Sequence, residues 1–173
     1  MTDLIHPILL ILGFNLTLVV FFVVLNALFP RRVARTRTVA DAMPGRAFAV
    51  GLVNFLFFGA ITFILFTLVG QVGNDLLRII LALPALFFLS VLSVGLSFGL
   101  AGVVQLVGER LAASQTELRR TVWGALALSL GSSLPFVGWF GLLPYAGLLG
   151  LGAFIVGFFY RERSEETIEK AHQ

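Results

Sequence analysis

Forty consecutive residues, 121–160, carry no charged side chain, and arginine closes the run at each end, as Arg120 and Arg161. As one helix the run would rise about 60 Å at about 1.5 Å per residue, twice the roughly 30 Å of a bilayer's hydrocarbon. It must therefore turn. The turn falls between Ser132 and Pro144, where Pro135 and Pro144 bracket Gly138 and Gly141, and Trp139 offers an amphipathic ring suited to a headgroup boundary. The prediction is a short Pro/Gly-rich hairpin of two spans, 121–136 and 142–160, with a re-entrant hairpin as the alternative.

The rest of the chain agrees with a membrane setting. Hydrophobic residues make up 58% and charged residues 12%, against about a quarter charged in soluble domains, and the mean hydropathy is +1.00. The net charge is +3, but the basic residues lie in short runs beside apolar segments rather than in a separate basic domain. Anionic lipid headgroups are therefore the expected partners, and nucleic acid is not. Cysteine is absent, so thiolate metal sites and iron–sulfur clusters have no ligands. Histidine occurs only as His6 and His172, near the two ends, which leaves no intramembrane pair for a haem.

Taken in order, the first span is expected at 8–29. The residues before it include Asp3 and no Lys or Arg, and the apolar run is longer than a signal peptide's, so it should stay as a span. Asn15 and Asn26 are close to three helical turns apart and share a face, placed for interhelical hydrogen bonds or, alternatively, for a solute site. Pro30 stops the helix. Arg31, Arg32, Arg35 and Arg37 follow, with Arg46 beyond Pro44-Gly45, and this basic loop, 30–46, marks the cytoplasmic side. Val33, Ala40 and Met43 form a loosely apolar face, so the loop reads either as an interfacial helix held to anionic headgroups or as a topology signal alone.

The second span, 47–70, places Asn54, Phe58 and Thr62 on one face. A short outer turn leads into the third span, 79–107, whose length requires a tilt, a projection beyond the membrane or a kink at Pro84. Within it Gly95, Gly99 and Gly102 form a small-residue stripe. Ala146, Gly150, Ala153 and Gly157 form another on the last span, and such stripes let helices approach closely. The second basic loop is 108–120 and the tail is 161–173. With the two basic loops and the tail cytoplasmic, 11 of the 12 Lys and Arg residues lie inside and only Arg78 outside. The chain is thus expected to be one all-α membrane domain of about five spans, N-terminus outside and C-terminus cytoplasmic.

No phosphate loop, metal-ligand cluster or nucleophile constellation is visible in the sequence. Ser132-Ser133 lacks the elbow glycines of a hydrolase and has no intramembrane base. Asp41, Asp75, Glu109 and Glu117 fall in predicted loops or at span ends, away from the positions that mark ion pathways. No enzyme activity and no cofactor are expected.

Leu28-Phe29-Pro30-Arg31-Arg32-Val33, Pro44 with Gly51, Gly108 with Arg110, Leu134-Pro135 with Val137-Gly138, and Gly147 to Ala153 together resemble an uncharacterised prokaryotic multi-span membrane module. That module occurs alone or fused to bactofilin-like polymer-forming domains, and the likeness covers roughly 26–158. It implies a membrane anchor or scaffold in the prokaryotic inner membrane, with no catalytic residues to transfer; this chain has no β-helical repeat. The expected function is a non-enzymatic scaffold, anchor or accessory subunit working through lipid contacts, other membrane proteins or self-association. The alternative is a passive channel or carrier for a small uncharged solute.

Overall fold

The structure, a computed structural model, describes the backbone of residues 2–134 and 136–171 and the side chains of 6, 9, 12–134 and 136–159. Among the described residues every element is helical: α1 (Thr2–Leu28), α2 (Pro30–Ala42), α3 (Pro44–Gln71), α4 (Asp75–Leu111), α5 (Glu117–Ser132), a π-helical turn (Val137–Leu142) and α6 (Leu143–Ala171).

Proline sets two of the breaks. Pro30 and Pro44 occupy first helical positions, where the missing N–H loses no helical bond. The residue before a proline is pushed out of the helical region, and Phe29 (φ −130°, ψ 52°) and Met43 (φ −140°, ψ 60°) are the two interruptions. At Phe29 the chain bends by 105° between α1 and α2. Asn74 caps α4, its Oδ1 accepting from the Leu76 amide at 2.9 Å, and Asp75 adds a negative charge to the first turn. The 37 residues of α4 rise about 55 Å, longer than a bilayer core, and the helix is continuous through Pro84.

Among the described residues three segments are long and apolar enough to cross a membrane: α3, α4 and Val137–Phe159. The bent pair Leu12–Leu28 and Pro30–Ala42 makes a fourth if taken as one broken span. The protein is thus an all-helical membrane protein with three to four candidate crossings. At 16 residues α5 rises only about 24 Å, short of the hydrocarbon thickness.

Packing is organised around α4, which touches α3, α6, α5 and α2. The arms expected to form a hairpin share α4 as a neighbour and differ in the rest. Helix α5 packs on α4 and α1, α6 packs on α3, α4 and α2, and the π-helical turn touches both arms. Both basic stretches are largely helical. Residues 30–46 are largely α2, whose Val33, Thr36, Val39 and Ala40 are buried, and 108–120 contracts to 112–116 between α4 and α5. The physical reason is that arginine is a good helix former, so a charged run at a span end continues the helix that hydropathy alone would end. Val33 and Ala40 are buried, and α2 packs on α4 and α6.

Candidate functional site

Glycine sets the closest helix approaches. On α4 and α6, Gly99 and Gly150 face each other so closely that a methyl added to either would overlap the other's backbone. Gly95 lies under the Leu151 side chain, and Gly102 receives Thr36 of α2, whose Cγ2 would stand 2.6 Å from an added Cβ. Ala146 and Ala153 are buried on the same helix as Gly150, whereas Gly157 has room for a Cβ, 3.9 Å from Val39 Cγ2. Two further crossings lie outside the predicted stripes. Gly51 and Gly152 bring α3 onto α6 against the carbonyls of Leu148 and Ala47, and Gly108 and Gly124 bring α4 onto α5.

A polar ladder joins α1, α4 and α5. Asn26 Nδ2 donates to Thr121 Oγ1 at 2.7 Å, and Gln105 Nε2 donates to Asn26 Oδ1 at 2.7 Å and to Glu117 Oε1 at 3.3 Å. One level along, Ser129 Oγ donates to Asn15 Oδ1. The antiparallel order, Asn15 with Ser129 and Asn26 with Thr121, places both asparagines of α1 on the face that meets α5. In a membrane setting each such bond contributes about 0.6 kcal/mol. Asn54 turns back on its own helix, donating from Nδ2 to the Val50 carbonyl at 2.8 Å. Thr62 on the same face is buried, and its hydroxyl has no partner.

Beside the ladder, Glu109 of α4 is shared by Arg37 of α2 and by Arg120 of α5, whose Nη1 lies 3.5 Å away. These three side chains are each about one-third exposed (32%, 33% and 32%), so the pairs are partly screened. Together with Gln105 and Glu117 they line a cavity of about 130 Å³. Gln105 Oε1 and Arg120 Nε, an acceptor and a donor, are buried and unpartnered.

A different arrangement surrounds the remaining basic residues. Arg31, Arg32 and Arg35, with Thr36, Phe154, Gly157 and Phe158, line a groove of about 280 Å³ between α2 and α6. The Arg32 guanidinium sits 5.2 Å above the Phe158 ring. Phe154 stacks on Phe98 at 5.3 Å, which anchors that wall to α4. Among the described residues, no carboxylate lines this groove; Asp41 pairs with Arg110 at 2.9 Å, and Glu109 pairs with Arg37 and Arg120. Arg46 lies outside the groove.

No family model, curated protein or solved structure matches this chain. The site is therefore read from its own geometry.

The structure divides the five arginines that the sequence groups together. Three line the groove, Arg37 is held in the ion-pair cluster, and Arg46 stands apart. Gln105 is the polar residue that sequence reasoning missed, although a signal existed. It is the one amide side chain within 79–107 and stands one helical turn before Glu109. Metal-binding groups of three or more His, Cys, Asp or Glu do not occur among the described residues.

Proposed function

We propose that the chain is a non-enzymatic integral membrane scaffold, anchor or accessory subunit that acts by binding lipid and other membrane proteins or further copies of itself. The observation that carries this reading is the closure of the interior polar side chains on one another. Asn15, Asn26, Gln105, Thr121 and Ser129 are used as ties between helices instead of lining a continuous polar path. Large apolar side chains meanwhile face outward from α3 and α4, among them Phe63, Leu83 and Phe87, each more than 60% exposed. They form a surface that lipid or a membrane partner would cover.

The finer arrangement belongs to the same proposal: five crossings, the last two a short hairpin, in the inner membrane of a prokaryote. The N-terminus lies outside and the C-terminus in the cytoplasm, as the 11-to-1 distribution of basic residues favours. The resemblance to the bactofilin-associated membrane module supports an anchoring role. Purification in mild detergent tests the reading, which expects a larger assembly to remain attached; a lone chain would count against it.

A second reading, a passive conduit for a small uncharged solute, is favoured by the small polar cavity that Arg37, Gln105, Glu109, Glu117 and Arg120 line. Solute flux into vesicles containing the protein separates the two: the scaffold reading expects the rate of empty vesicles.

A further inference from the structure

The groove between α2 and α6 concentrates positive charge that the described residues leave unmatched. Arg31 and Arg32 stand in the first turn of α2, where the helix dipole favours anions, and no acidic residue offsets them there. Arg35, one turn on, lines the same groove. Three guanidinium groups beside a positive helix end form a strong local field for a phosphate, and arginine's planar fork matches phosphate oxygens in pairs.

The opposite wall has different chemistry. Phe154 is anchored by stacking on Phe98, and Phe158, which meets Phe154 edge-on, is 57% exposed. Gly157 lies between them. Its absent side chain is not required by helix packing, because an added Cβ would meet Val39 Cγ2 and Arg35 Cβ only at 3.9 and 4.0 Å, ordinary contact. Glycine here keeps the groove floor open, unlike Gly99 and Gly150, where backbones touch.

We infer that this groove binds one phosphate-bearing anion, the headgroup of an anionic phospholipid, with Arg31, Arg32 and Arg35 on the phosphate and Phe154 and Phe158 along the start of its acyl chains. The inference rests on the membrane-anchor reading and deepens it, since it separates a saturable site from the diffuse attraction of any basic segment to a negative surface.

The test counts lipids bound to the full chain in a neutral detergent by native mass spectrometry, titrating dioleoyl phosphatidylglycerol against dioleoyl phosphatidylcholine. One phosphatidylglycerol per chain at saturation, in clear preference to phosphatidylcholine, is expected. At about 1 kcal/mol per arginine near an anionic surface, Arg31→Gln and Arg35→Gln should each weaken binding about fivefold, and the double variant about 25-fold. Gly157→Leu should abolish the site by filling it while leaving the charge unchanged, with a melting curve verifying that it folds. Arg46→Gln, outside the groove, should change little. Inorganic phosphate distinguishes the sources. If it displaces the lipid, the site reads the phosphate alone; if it does not, while the variants still lose the lipid, the apolar wall contributes as well. Equal binding of the two lipids, no saturation at one, or an Arg46→Gln loss as large as that of Arg31→Gln would overturn the inference. None of these results bears on whether a protein assembly co-purifies, so the anchor reading stands or falls separately.

Discussion

Replacing Gly99 by alanine adds one methyl at the point where α4 and α6 meet. That methyl would stand 2.5 Å from the Leu151 amide nitrogen and 2.7 Å from the Gly150 carbonyl oxygen. The nearest atom of all, the Gly150 carbonyl carbon, would stand 2.3 Å away, so restoring ordinary contact, which begins near 3.4 Å, requires the helices to part by about 1.1 Å at that level. A gap of that size forfeits about a quarter to a half of the dispersion energy of each atom pair it opens. Overpacking of this kind costs about 1–3 kcal/mol. Gly59→Ala is the matched control, because Gly59 lies within α3 with nothing near its added Cβ. There the methyl only raises helix propensity, a gain of about 0.5–1 kcal/mol. The same propensity gain applies at Gly99 within α4, so it cancels in the comparison, and Gly99→Ala should be less stable than Gly59→Ala by the overpacking cost, about 1–3 kcal/mol, measured by reversible unfolding in mixed micelles. Gly150→Ala should resemble Gly99→Ala. The double variant should be less destabilised than the sum, because one separation relieves both clashes. If Gly99→Ala were as stable as Gly59→Ala, α4 and α6 would not meet at these residues.

Two other measurements address different parts of the structure. In a double-mutant cycle on Asn26→Ala and Gln105→Ala, a coupling of about 0.6 kcal/mol, and at most about 1.7, is expected, and none would mean the ladder does not form. Reporter fusions at Thr2 and Gln173 should report opposite compartments; agreement between them would overturn the proposed orientation.

What the sequence reveals here depends on how local the physics is. The breaks at Phe29 and Met43 are legible because a proline constrains its own neighbour. Helical period alone places Gly99 and Gly150 on small-residue stripes, and it places Asn15 and Asn26 on one face. Long-range choices are not legible in this way. That α5 lies against α1 and α4 instead of α6 depends on which of several similar apolar faces fit best, and hydropathy does not rank them. The Arg37–Glu109–Arg120 cluster joins residues up to 83 positions apart, so each charge reads as an isolated loop residue until the fold brings them together. Gly51 and Gly152 stand outside any stripe, and only the crossing of α3 over α6 explains them.

A protein that works by holding other molecules in the membrane should leave the membrane together with them. The most direct measurement is the mass of the particle released from native membranes in a mild detergent, with its protein composition determined. A defined assembly larger than one 18.8 kDa chain, containing either further copies or a stoichiometric membrane partner, is expected. A homogeneous single chain, released from membranes under conditions that preserve known assemblies, would contradict it.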